Sequence, residues 1–126
     1  MATTARFTDS IGFIDAGKDN TSRILNNQYL TPAYASTIAL KPYMAYTLVN
    51  PAILTGAVTF TATVVAPFVG DRMTFLLVSD GTTRTATFGT GFLPTGTLAV
   101  TTAKNANISF IFNGTAWIET GRAVTA

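Results

Sequence analysis

Ala57-Val-Thr-Phe-Thr-Ala-Thr-Val-Val65 alternates almost without a break. Val58, Phe60, Ala62 and Val64 fall on one side, and Thr59, Thr61 and Thr63 on the other. Successive side chains of a strand point to opposite faces, so this period of two predicts one dry face and one hydroxyl-covered face. Branched and aromatic side chains also pack well on a pleated surface. Pro67 and Gly70-Asp71 end the strand.

The same grammar extends in both directions. Upstream, Tyr43 to Val49 is a strand closed by Asn50-Pro51. Downstream, Arg72 to Ser79 meets Asp80-Gly81, a hairpin signal, and Thr82 to Phe88 returns. Gly89, Gly91, Pro94 and Gly96 mark a loop. Thr97 to Ala103 is followed by a turn at Lys104-Asn105, and Asn107 to Phe112 by Asn113-Gly114. Thr115 to Thr120 closes the set. Residues 43–126 thus predict one all-β domain, an antiparallel β-sandwich or jelly-roll-like barrel of about seven or eight strands. With Asn113-Gly114 as a two-residue turn, Phe110 faces Trp117 and Ile111 faces Ala116. One face then carries Ile108, Phe110, Phe112 and Trp117, and the other Ile111, Ala116 and Ile118. A hairpin with two apolar faces is either central in a sandwich or lies between its own core and another subunit, which marks Phe110, Ile111, Trp117 and Ile118 as core or oligomer interface.

Composition narrows function by exclusion. The 126 residues hold eight Lys/Arg and six Asp/Glu, a net charge of +2 and 11% charged residues. That balance gives no electrostatic footprint for nucleic acid. The absence of His and Cys removes the commonest general base, the triads built on it, and thiolate chemistry. Thr makes up about a fifth of the chain, far above ordinary usage. Threonine covers a sheet face without charge, and such a face is covered by another subunit at modest desolvation cost. Pro42 to Gly70 carries no charge, but Asn50, Pro51, Gly56 and Pro67 interrupt it. No apolar run reaches membrane-spanning length.

Residues 1–42 differ from the remainder. Asp9, Asp15, Lys18, Asp19 and Arg23 cluster there, and the apolar residues come in isolated pairs. Such a segment builds no core unaided. Two readings stay open: loop and short strand packed on its own domain, or an extended arm anchored on a neighbour through Phe7, Phe13 and Ile14. The domain division is then an N-terminal arm over 1–42 and a sheet domain over 43–126.

Motifs that carry chemistry are scarce in the sequence. Gly89-Thr-Gly91 opens no helix pattern and is no phosphate loop. Asp71, Asp80 and Glu119 suggest paired acids, but Asp80 has a turn role and Asp71 follows Gly70 at the start of a strand. Asp15-Ala-Gly-Lys-Asp19-Asn20 lacks the downstream bidentate Glu of a calcium loop. No catalytic residue, metal site or cofactor is expected. Trp117 and Phe110 suit a core or interface pair better than a sugar-stacking platform.

Three segments together resemble a known module. They are Gly70-Asp-Arg-Met-Thr-Phe-Leu-Leu-Val-Ser-Asp-Gly81, Ala86-Thr-Phe-Gly-Thr-Gly-Phe92, and Ser109-Phe-Ile-Phe-Asn-Gly-Thr-Ala-Trp-Ile-Glu-Thr-Gly-Arg122. The pattern is similar to a β-rich module of tailed-bacteriophage virion proteins: head decoration (cement) proteins, head fibres and tail-fibre segments. The likeness covers roughly the C-terminal 80 residues. It implies a structural, non-enzymatic, usually trimeric virion component. A chain without repeat or heptad resembles a decoration protein more than a fibre. The expectation is a homotrimer on the outer surface of the capsid, bound to the major capsid protein and reinforcing capsomer contacts, with no nucleic-acid or membrane partner. The alternative is a fibre tip that binds a receptor or a host-surface glycan.

Overall fold

The computed structural model describes residues 27–125 apart from Ala103. The expected anchors Phe7, Phe13 and Ile14 lie outside the described residues. Ten strands follow one another among the described residues, with no helix. They are β1 (Asn27–Leu30), β2 (Thr37–Leu40), β3 (Tyr46–Val49), β4 (Val58–Ala62) and β5 (Arg72–Val78), then β6 (Arg84–Phe88), β7 (Phe92–Leu93), β8 (Leu98–Val100), β9 (Asn105–Phe112) and β10 (Trp117–Thr125). The expectation of an all-β fold holds for the described residues.

The pairing differs from the expected antiparallel pattern. The strands alternate between two sheets, ordered β1-β3-β5-β9-β10-β7 and β2-β4-β6-β8. β1–β3, β3–β5, β2–β4 and β4–β6 all pair in parallel. Only β5–β9, β9–β10 and β6–β8 are antiparallel. The result is two mixed sheets in a β-solenoid-like stack. Parallel neighbours need a crossover, and here the crossover is a strand of the opposite sheet. Asp80-Gly81 therefore joins two sheets rather than two strands of a hairpin. The Asp80 carboxylate accepts from the Thr82 N–H and from Arg84, which turns the chain across. The hydrogen-bonding positions beside β5 at that point belong to Leu54, which donates to Val78 and accepts from Asp80.

Residues 27–42, expected as part of the arm, supply β1 and β2 to the two sheets. Ile38 and Leu40 are buried in the common core. Gln28 is buried as well. Its side chain donates to the Lys41 carbonyl and accepts from the Tyr43 N–H and the Thr47 hydroxyl.

The last hairpin keeps its faces but not its register. Phe112 pairs with Trp117 and Ile111 with Ile118, two residues from the expected match. The Asn113 carboxamide oxygen accepts from the N–H groups of Thr115 and Ala116, and the Asn113 N–H donates to the Ala116 carbonyl. Residues 113–116 thus all belong to the loop, with Gly114 at φ 103°. A slip of two conserves side-chain orientation, whereas a slip of one would have inverted it.

The core forms where the inner faces meet. Phe60 and Phe88 of the small sheet interleave with Phe75, Phe92 and Phe110 of the large one. Their ring centroids lie 4.8–5.8 Å apart, mostly tilted or edge-on, the arrangement the ring quadrupole favours. β4 buries Val58, Phe60 and Ala62 as predicted. It ends there, so Val64, expected on the dry face, lies in the following loop and is exposed.

Candidate interaction surface

Of the four hairpin residues singled out from the sequence, two turn inward and two outward. Phe110 and Trp117 are 1% and 0% exposed and belong to the core. Neither ring is open to a sugar, so the pair forms no stacking platform. Ile111 and Ile118 pair directly on the outer face and remain half-buried.

The register extends this pair into a row. Asn27, Tyr46, Arg72, Ile111, Ile118 and Leu93 are successive partners across all six strands of the large sheet. Beside it run Tyr29, Leu48, Thr74 and Ser109, with the last two hydroxyls 3.1 Å apart. Leu76 continues the same face of β5. Tyr29, Leu93 and Leu76 are 60%, 54% and 41% exposed. The outer face of this sheet therefore presents large apolar side chains from most of its strands. Sequence reasoning missed Tyr29, Tyr46, Leu48, Leu76 and Leu93. In Tyr46-Thr-Leu-Val49 the phase misleads, because Thr47 is the fully buried residue and Leu48 the outward one. The hydrogen bond from Thr47 to Gln28 satisfies its hydroxyl inside. The one sequence signal for this face is that apolar residues occur in both phases of β3, β5 and β9, with Leu48, Leu76 and Ile111 on the outer one.

The outer face of the small sheet is different in kind. Thr37, Thr59 and Thr87 form one row, Ala39 pairs with Thr61, and Thr85 with Ala99. Gly89 lies beside the methyl groups of Thr59 and Thr61. These positions carry no charge and no large side chain. This face is the hydroxyl-covered one that the alternation in β4 predicted.

The carboxylates singled out earlier have local partners. Asp71 is buried and accepts from the Phe68 N–H. The Arg84 guanidinium grips Asp80 through two 2.9 Å bonds and holds its carboxyl below the usual range. The Glu119 side chain is also enclosed, 5% exposed. Arg122 donates to both of its oxygens at 2.7 Å, and the Thr95 N–H and hydroxyl add two more bonds. The Arg122 guanidinium is the main reason that the Glu119 carboxyl sits at about 2, against the opposing pull of burial. Arg122 also donates to the carbonyls of Gly96 and Thr97. The pair thus pins the β7–β8 connection onto β10. Among the described residues, no three Asp or Glu side chains gather where they could hold a metal ion.

The sequence matches no protein-family profile. No curated protein is significantly similar to it.

Proposed function

We propose that this chain is a structural virion protein. In this reading it decorates the outside of a phage capsid as a homotrimer and reinforces contacts with and between copies of the major capsid protein. The resemblance in the C-terminal segments motivates the biological setting. The observation that carries the mode of action is the outer face of the six-stranded sheet, where Ile111, Ile118, Leu93, Leu76 and Tyr29 stand with the core already complete behind them. An apolar face on a solvated sheet marks an interaction site. The two sheets act as the layers of a sandwich, one offering an apolar face for self-association and the other a threonine face for the particle. Assembly is driven by burial of surface and involves no bond-making chemistry.

The test has two readouts. Light scattering of the purified protein should give three chains, and Ile118→Lys should release folded monomer by placing an unpaired charge in the interface. Capsids lacking the protein should regain mass and mechanical resistance when the unmodified protein is added. A monomer at micromolar concentration overturns the oligomer, and a trimer that never binds capsids overturns the capsid role.

A further inference from the structure

The loop between β9 and β10 brings together the parts of an asparagine rearrangement. Of the chain's asparagines, only Asn113 precedes a glycine. Asn113, Gly114 and Thr115 are all exposed, so water reaches them. The fold itself requires the glycine. Gly114 sits at φ 103°, and an added Cβ would stand 3.2 Å from a Val69 methyl. The main-chain nitrogen that follows Asn113 therefore carries no side chain to hinder its approach to the Asn113 carboxamide carbon. That carboxamide is also polarised. Its Oδ1 accepts from the Thr115 N–H at 2.9 Å, the Thr115 hydroxyl at 3.0 Å and the Ala116 N–H at 2.8 Å. Three donors on one carbonyl oxygen stabilise negative charge that develops there. The other described asparagines lack this combination. Asn50 precedes Pro51, which has no N–H, and its amide donates to the Tyr29 hydroxyl. Asn27, Asn105 and Asn107 lie within β1 and β9, whose backbones are committed to their ladders.

We propose that Asn113 is a self-modification site, at which the folded chain converts its own asparagine into aspartate and isoaspartate without an enzyme. The Gly114 N–H gives its proton to solvent base, and the Gly114 nitrogen bonds to the Asn113 Cγ. Oδ1 becomes an oxyanion held by the donors of Thr115 and Ala116. When the carbonyl re-forms, the Cγ–Nδ2 bond breaks and Nδ2 leaves as ammonia, taking a proton from water. A cyclic imide remains, and water opens it. Addition at Cγ breaks the new bond and gives aspartate. Addition at the main-chain carbonyl carbon of residue 113 gives isoaspartate. No oxidant or cofactor enters. The loop accepts the first product, because a carboxylate takes the same three donors more strongly than an amide does. The second lengthens the main chain by a methylene and disturbs the bond from the Asn113 N–H to the Ala116 carbonyl. Either product adds a negative charge to a chain of net charge +2, next to the core pair Phe112 and Trp117. This inference does not rest on the capsid reading.

Peptide mapping by mass spectrometry tests it, on the full-length protein aged in warm, mildly alkaline buffer. Asn113 should convert faster than any other described asparagine. It should also convert no more slowly in the folded protein than in the same protein held unfolded in guanidinium chloride. Thr115→Val removes one of the three donors at an exposed position and leaves both N–H groups in place. It should slow conversion in the folded protein about fivefold, the worth of one ordinary hydrogen bond, and leave the rate in guanidinium unchanged. Slower conversion on folding overturns the proposal, because the loop would then protect Asn113 rather than promote its reaction. An undiminished folded rate in Thr115→Val overturns it too, as does faster conversion at Asn50, Asn105 or Asn107. The comparison of folded with unfolded protein needs no variant and stands even if Thr115→Val fails to fold.

Discussion

The closed end of the stack, at β7 and β8, is held by an ion pair, whereas the open end, at β1 and β2, flanks a cavity among the described residues. At the β7–β8 end an ion pair buried on one side, Glu119–Arg122, reaches four further polar groups and fixes a connection between the sheets. At the open end a neutral side chain, Gln28, performs the equivalent task for the β2–β3 connection, with three hydrogen bonds beside a cavity. A charge is worth burying where its partners are complete, because an unpaired one costs several kcal/mol. Beside an open cavity an amide is the safer choice, since its loss strands neutral groups that water can reach. The difference shows that a charged pair is used where its partners are complete, and a neutral amide where, among the described residues, a cavity lies alongside.

The largest effect should come from Gly91, which enters β7 at the closed end with φ 95°. An added Cβ would meet the Ala62 backbone carbonyl. Gly91→Ala combines a left-handed conformation with a clash and should cost about 3 kcal/mol by denaturant unfolding. A near-neutral result would mean that this end yields easily and is less rigid than its hydrogen bonds imply.

Next comes Glu119→Gln, which should cost about 2 kcal/mol by leaving Arg122 without its counter-charge. The same group predicts a pH dependence. Its carboxyl is at about 2 in the folded protein, against 4.5 ordinarily. The folded state thus binds its proton less readily than the unfolded state. The stabilisation is fully present above pH 4.5 and is lost as pH falls toward about 2. Thermal melts should fall across that window more steeply for the unmodified protein than for Glu119→Gln. Equal slopes would remove the pair from the account of this end.

Gln28→Ala should cost less, about 1 kcal/mol, and should leave β5 and β9 untouched by hydrogen exchange while β1 loosens. A loss larger than that of Glu119→Gln would reverse the comparison. The smallest effect is expected for Asp80→Asn, which lies at neither end. Its pair with Arg84 is solvated, and the melting temperature at neutral pH should not move measurably.

Much of this was legible in the residues themselves. The alternation in 57–65 announced β4 and both of its faces, and the apolar doubling in 108–118 separated Phe110 and Trp117 from Ile111 and Ile118 without saying which pair lies inside. The parallel winding was not legible. An isolated strand pattern states which side is dry but not which strand lies beside it, and Asp80-Gly81 carries the same turn chemistry whether the chain doubles back or crosses to the other sheet. β7 was hidden for a related reason. Two residues, Phe92 and Leu93, set in a glycine-rich stretch have no period to detect.

By itself the sequence determined that this protein is a β structure with a dense aromatic core, threonine on one outer surface and little charge. Those properties follow from side-chain volume, branching and hydration, which each residue brings wherever it is placed. The tertiary structure alone decided that strands β1 to β4 pair with the second strand ahead, that Thr47 goes inside and Leu48 outside, and that Glu119 and Arg122 meet the β7–β8 connection. These depend on hydrogen-bond partners remote in the chain, Gln28 for Thr47 and Thr95 for Glu119, and no local pattern can announce a partner that only folding brings within reach.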